Sequence, residues 1–182
     1  GHDIDLANWQ EVRFVDALTD RLHASGMTWA GSVSLLPLSG LLSTMDVAFP
    51  ERPKPRPEDV PQAHFRVATP DYFAAAGIVV VDGRPFSARD RVDTQPVAIV
   101  SRTFADRHWP GQRAVGQSVQ IVQATASAPM EVVGVVSDVK QFVLDAAPTA
   151  DLYVPVQQMP PSQAALLAAR MFWIVRAPVD PA

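Results

Sequence analysis

Between Val67 and Gly116, proline and glycine recur so closely that only short elements fit between them. The stretch opens V-A-T-P-D-Y-F-A-A-A-G-I-V-V-V-D-G-R-P-F and, after Arg91–Gln95, continues P-V-A-I-V-S-R-T-F-A-D-R-H-W-P-G. Each half joins a short capped helix to an apolar run. Thr69 is placed as an N-cap, with Pro70 at the first helical position and Asp71 in the first turn. That order satisfies free N–H groups and suits the positive helix end. Gly77 closes a helix of about two turns, because glycine takes the left-handed closing conformation cheaply. Ile78–Val81 reads as a short buried run before the turn pair Asp82-Gly83. Ser87 and Asp90 have capping-box spacing, enough for a single turn. Val97–Val100 reads as a buried strand. Ser101 caps the next helix, which Pro110 and Gly111 stop.

The rest of the chain is placed around this block. Trp9, Val12, Val15, Leu18 and Leu22 recur at helical spacing, which predicts an amphipathic helix of about four turns ended by Ser25-Gly26. Met27–Leu38 reads as a strand. Ser39–Val60 carries Pro50, Pro53, Pro55 and Pro57 among charged residues and reads as an exposed, extended loop, since proline lacks a ladder donor. Gln62–Thr69 alternates and predicts a half-exposed strand. Ser118–Gln123 points Val119 and Ile121 inward. Met130–Ser137 predicts a central strand in which Gly134 marks either a bulge or a close backbone approach. Leu152–Val156 and Met171–Val175 predict two more strands, with an alanine-rich helix over Ser162–Ala169 between them. Asp138 and Lys140 read as a surface pair. The element order is α+β. Strand-like segments near Val33 and Ile174 lie at opposite ends of the chain, which suggests an outer lobe with the middle inserted into it.

Composition narrows the function classes. The 182 residues are 48% hydrophobic, enough to bury a core, and the formal net charge of −4 gives no basic stripe for nucleic acid. There is no cysteine, hence no disulfide, thiolate metal site or thiol nucleophile. No run approaches the roughly 18 apolar residues of a membrane span. Gly1-His2 reads as a cloning remnant ahead of an excised piece of a longer protein.

Reactive constellations are sparse. Gly31-Ser32-Val33-Ser34 lacks the second glycine of a nucleophile elbow, and no phosphate-cradling glycine motif or H-E-x-x-H occurs. His2, His23, His64 and His108 are dispersed. Asp82, Asp90 and Asp93 beside Arg84, Arg89 and Arg91 read as a solvated turn more readily than as an acid–base pair or cation site. A hydrolase would have to use Asp90 or His108. The four tryptophans read as packing residues.

An ordered series of motifs nonetheless points to a family. Thr69-Pro70-Asp71-Tyr72-Phe73 with Gly77-Ile78 is followed by Gly83-Arg84-Pro85-Phe86 with Asp90, then Pro96–Ser101. Trp109-Pro110-Gly111 with Val115-Gly116, Val132–Val136 with Asp138-Val139, and Leu152-Tyr153-Val154-Pro155 complete it. In this order the chain resembles the extracytoplasmic, periplasmic core domain of MacB/FtsX-like ABC transporter permeases. Leu36–Gly40 and Trp173–Arg176 also look like that family. The resemblance implies a porter-like α/β lobe formed by both chain ends, with an inserted β-rich lobe. Residues 1–60 would form the N-terminal part of the porter-like lobe, 61–160 the inserted lobe, and 161–182 a shortened C-terminal part.

The resemblance further implies a non-catalytic domain on the outer face of the cytoplasmic membrane, without catalytic residues, cofactor or metal. Its partners would be its own transmembrane helices, a cytoplasmic ATPase domain or subunit, and a periplasmic adaptor or a second permease copy in a homodimer. It would couple ATP hydrolysis to motion outside the membrane, for substrate export or control of a partner. The alternative is a module that binds a protein or peptide and recruits an adaptor or lipoprotein. The loop Pro50–Pro61 departs from the family pattern, and the chain stops earlier than the family does.

Overall fold

The computed structural model describes residues 10–34, 43–122, 127–139, 149–159 and 171–176. Trp9, Leu35–Leu38, Lys140 and the helix expected over Ser162–Ala169 lie outside the described residues. The expected first helix is α1, Gln10–Ala24, followed by strand β1, Trp29–Val33. Strands β2 (Thr44–Ala48) and β3 (Gln62–Ala68) precede helix α2 (Tyr72–Ala76) and strand β4 (Val80–Gly83). Strand β5 (Val97–Ser101), helix α3 (Arg102–His108) and strands β6 (Ser118–Ile121), β7 (Met130–Val136), β8 (Asp151–Pro155) and β9 (Phe172–Arg176) complete the set. Short helices beside a dominant mixed sheet make the fold α+β.

Six strands pair into a ring. β2 pairs β6, β6 pairs β7, β7 pairs β5, β5 pairs β8, β8 pairs β3, and β3 pairs β2 again. The closing strand is β2. Its first half, Thr44–Asp46, pairs β3, and its second half, Val47-Ala48, pairs β6. Closure satisfies backbone groups that open edges would leave unpaired. It also corrects the expectation of an uninterrupted loop from Ser39 to Val60. The prolines that rule out a ladder all fall after Ala48, so the apolar alternation before them is free to pair.

All six ring strands contribute to the main core, through Val47, Phe65, Val100, Ile121, Val132 and Leu152 among others. Phe49, Phe104 and Trp109 pack against it, with Phe49 and Trp109 edge-on at 5.3 Å. A second core on the other face joins Val33, Ala68, Ile99, Val136 and Tyr153 to Tyr72, Phe73, Ile78 and Phe86. β3 is therefore buried on both faces, not half-exposed as its alternation suggests, because α2 covers the side carrying Ala68.

Strands from the two ends of the chain meet. β1 and β9 form a five-residue antiparallel ladder from Trp29↔Arg176 to Val33↔Phe172. This ribbon joins the ring through the single ladder pair Val33↔Ala68. Side chains reinforce the junction. Thr69 Oγ1 accepts the Ser32 N–H at 2.7 Å, and Ser34 Oγ accepts the Val67 N–H at 2.9 Å.

Three local expectations change. The helix after Thr69 is one turn long, with Asp71 at its N-cap position and no side-chain cap, because the Thr69 hydroxyl is committed to β1. Gly77 closes it in the left-handed region, φ 72°, as expected. The Ile78–Val81 run is not buried throughout. Val79 is 61% exposed, since β4 pairs only β7 on the margin of the ring. Trp29, read as packing, is exposed, whereas Trp109 is buried.

Gly134 meets both of its expected roles. The β5–β7 register shifts between Ala98 and Ile99, which pair Val132 and Gly134. A Cβ on Gly134 would also lie 2.3 Å from the Arg84 carbonyl oxygen. The backbone of the turn after β4 thus passes close against β7.

Candidate functional site

The residues singled out by sequence chemistry are tied into the scaffold. Arg84 donates to both Asp90 carboxylate oxygens at 2.8 Å, and Ser87 N–H donates to Asp90 Oδ2 at 2.7 Å. Asp90 is buried. Burial works against its charged form, but Arg84 and the Ser87 N–H overcome that cost and hold its pKa below the usual carboxylate value. The Ser87–Asp90 pattern is therefore a closed turn around an anchored carboxylate. Asp82 pairs instead with Arg113 on the surface, at 2.9 Å. Asp138 is engaged within the fold, and its expected partner Lys140 lies outside the described residues. Its carboxylate accepts the Thr103 N–H at 2.8 Å and the Thr103 hydroxyl at 3.0 Å, at the start of α3. Ser101 Oγ, as expected, accepts the Phe104 N–H.

His108 sits at the end of α3 among rings, 4.5 Å from Phe104 and 4.9 Å from Phe49 between centroids. Its Nε2 is buried with no hydrogen-bond partner among the described residues. Burial, then the charges of Arg107 and Arg52, push its pKa down to about 4. Asp90 and His108 thus belong to separate clusters with separate structural partners. Among the described residues, no three histidine or acidic side chains gather as a metal site.

The sequence reading missed a buried ion pair. Arg66 Nε and Asp151 Oδ1 lie 3.1 Å apart on the paired strands β3 and β8, with 2% and 0% of the side chains exposed. Thr149 Oγ1 donates to the other Asp151 oxygen at 2.9 Å. Burial raises the Asp151 pKa, while Arg66 and Thr149 act against it. Arg66 stands at a polar-looking position of the β3 alternation, so nothing local marked it as buried.

Two surface cavities are lined by described residues. One, of about 460 Å³, lies between α1 and the Ser87–Arg91 turn and is lined by His23, Asp71, Arg91 and Gln157, among others. His23 Nε2 and Asp71 Oδ2 are 3.6 Å apart in it. The other, of about 300 Å³, lies between the proline-rich loop and β6. That loop is fully exposed from Pro50 to Asp59. Its Arg52 guanidinium lies 4.3 Å above the Phe49 ring and donates to the His108 carbonyl oxygen. Among the described residues, no helix is long and apolar enough to cross a membrane.

Comparison with known proteins agrees with this architecture. No curated protein matches the sequence. The periplasmic region of MacB from Actinobacillus actinomycetemcomitans superposes with a TM-score of 0.61 at 13% identity, over 94% of this chain and 66% of that one. The extracellular domain of the noncanonic ABC-type transporter YknZ from Gram-positive bacteria gives 0.54 at 15% identity, over 90% and 73%. A domain from Porphyromonas gingivalis gives 0.55 at 15% identity, over 86% and 64%. The chain therefore spans about two-thirds of the length of these domains. At such identities the likeness shows the fold alone. The family profile described as the MacB-like periplasmic core domain matches residues 42–181, and on that match the chain belongs to the MacB-like periplasmic core domain family.

Proposed function

We propose that this chain is a non-catalytic, periplasm-facing domain of an ABC transporter permease, which couples ATP hydrolysis in the cytoplasm to motion outside the membrane. Family membership supports the location, and the fold suggests how motion would pass through it. The observation that carries the mechanical reading is the junction between ribbon and ring. One ladder pair, a few buried hydrogen bonds and the packing of Val33 and Ile174 in the second core connect the β1–β9 ribbon to the closed ring. A junction with so little strand pairing across it is where one body can turn against another. The ribbon, with α1, would belong to the porter-like lobe next to the membrane helices, and the ring to the inserted lobe. The catalytic-looking residues Asp90 and His108 serve as anchors, which favours a mechanical role over a chemical one.

The test uses the parent permease reconstituted with its ATPase. Spin labels are placed at exposed Val79, after substitution by cysteine, in each of two permease copies, and distances are measured with and without trapped nucleotide. The expected result is a distance distribution that shifts with nucleotide. An unchanged distribution, with hydrolysis intact, removes the coupling role.

A second reading, a module that binds a protein or peptide, is favoured by one feature. The loop from Pro50 to Asp59 is both exposed and pinned, by Arg52 over Phe49 at one end and, just past the other, by the Val47 N–H bond to the Pro61 carbonyl. A surface loop ordered in advance costs less entropy to bind than a free one.

A further inference from the structure

We propose that the groove between the proline-rich loop and β6 receives an extended segment of a partner protein, one that sets an acidic residue beside an apolar side chain. The proposal deepens the binding reading and is independent of mechanical coupling.

The groove has a volume of about 300 Å³, at the lower end for ligand pockets and enough for one or two apolar side chains. Val47, Pro55, Val60, Ile121 and Val122 supply apolar lining. Val122 is 48% exposed, an apolar side chain left in water beside a concave surface. The polar lining residues Gln120 and Ser127 are occupied with each other, since Gln120 Nε2 donates to the Ser127 carbonyl oxygen. Lys54 is the one charged residue among the described lining residues. Neither Lys54 nor Arg56 forms an ion pair among the described residues, in contrast to Arg66, Arg84 and Arg113.

The wall carrying these cations is stiff. Arg52-Pro53-Lys54-Pro55-Arg56-Pro57 alternates cation and proline, and proline fixes the backbone torsion φ. Arg56 has φ −65° and ψ 155°, the polyproline II region. Both ends are tied down. Arg52 N–H donates to the Phe49 carbonyl at 2.9 Å, and Val47 N–H to the Pro61 carbonyl at 2.8 Å. A preformed polyproline ridge is recognised by side chains packing against it, with little ordering cost.

The same loop argues against a membrane surface as the occupant. Glu51, Glu58 and Asp59 interrupt the cations at both ends, and a flat anionic surface would meet these carboxylates as well. A narrow peptide can engage Lys54 and the groove while avoiding them.

The probe is a fluorescein-labelled peptide, Asp-Val-Glu-Leu-Asp-Val, titrated with the intact chain and followed by anisotropy. Saturable binding is expected, weakened about tenfold by Lys54→Glu and by Val122→Asp, and weakened by salt. Both sites are exposed, so both variants should fold, which circular dichroism checks. A peptide with lysine in place of each acidic residue should bind at least tenfold more weakly. The proposal is overturned by absence of saturable binding, by equal binding of the lysine peptide, or by variants that bind as the parent chain does. Binding to phosphatidylglycerol vesicles that Lys54→Glu abolishes, with none to the peptide, would assign the surface to lipid and also overturn it. None of these outcomes depends on the nucleotide-linked distance change, so either proposal can fail alone.

Discussion

Thr69 Oγ1 accepts the Ser32 N–H at 2.7 Å, and Thr69 N–H donates to the Ser32 carbonyl at 2.9 Å. Two residues 37 apart thereby continue, with a side chain, a pairing that the strands themselves hold at only one position. With Val33 packed in the second core, this bridge helps to seat the ribbon contributed by the two ends of the chain on the ring.

Replacing Thr69 by valine keeps the volume but leaves the buried Ser32 N–H without its acceptor. An unsatisfied buried donor costs about 1–3 kcal/mol. Urea unfolding should show that loss for Thr69→Val, while Thr69→Ser stays within about 1 kcal/mol of the parent. If both substitutions cost the same, the hydroxyl is not the link.

Arg66 and Asp151 provide the sharpest energetic test. Removing one partner leaves a buried charge, at a cost of about 3–5 kcal/mol, whereas removing both can be far less damaging. Arg66→Met and Asp151→Leu should each be strongly destabilising, and the double variant should recover at least about 1 kcal/mol relative to their sum. Additive losses in a double-mutant cycle would show that the pair does not act as a unit.

Gly134→Ala should be among the most damaging small substitutions, because the new Cβ meets the Arg84 backbone oxygen at 2.3 Å. Relief requires moving the turn that Asp90 anchors. A loss above about 3 kcal/mol is expected. Gly111→Ala is the control: nothing lies within 4 Å of its Cβ position, and only its φ of 71° is strained, worth about 1 kcal/mol. Equal melting temperatures for the two variants would contradict the close approach.

Local chemistry was legible where one residue decides the outcome. Ser101 caps α3, Gly77 closes α2, and Gly134 marks a bulge and a crowded backbone, all as expected from their neighbours in sequence. Partnerships across the fold were not legible. Thr69 looked like a cap because Pro70 and Asp71 follow it, yet Ser32 competes for its hydroxyl from a distant strand. β2 was hidden because the prolines after Ala48 dominate the composition of its surroundings. Arg66 followed a polar alternation, yet its side chain is buried beside Asp151, which lies 85 residues away. The groove could not be read at all, since it exists only once β2, β6 and the loop are brought together.

Pinning of the loop is open to proteolysis. Arg52 is held over Phe49, with the Trp109 ring centroid 5.9 Å away. Arg52→Ala removes that anchor. Lys54 and Arg56 are each followed by proline, which blocks trypsin, so glutamyl endopeptidase is the protease to use, acting after Glu51 or Glu58. At equal protein stability, cleavage in the loop should accelerate at least about fivefold, as expected when local opening becomes easier. Unchanged rates would mean the prolines alone keep the loop in place.

Acid should act on the same corner through His108. Its pKa falls from 6.5 in the unfolded chain to about 4 in the fold, driven first by burial and then by Arg107 and Arg52. Between those values the unfolded chain binds more protons than the native one, so stability rises with pH. The contribution is complete above pH 6.5 and is lost as pH falls toward 4. His64 is also lowered, by burial, and adds a slope of the same sign. Asp151, raised by burial, adds a slope of the opposite sign, while Asp90 is lowered by Arg84 and the Ser87 N–H against its own burial. The difference between the parent chain and His108→Phe therefore isolates His108, because phenylalanine keeps a ring beside Phe49 and Phe104 but takes up no proton. Melting followed by circular dichroism should show the parent losing stability between pH 6.5 and 4 and His108→Phe losing distinctly less. Parallel pH profiles for the two proteins would place the acid sensitivity elsewhere.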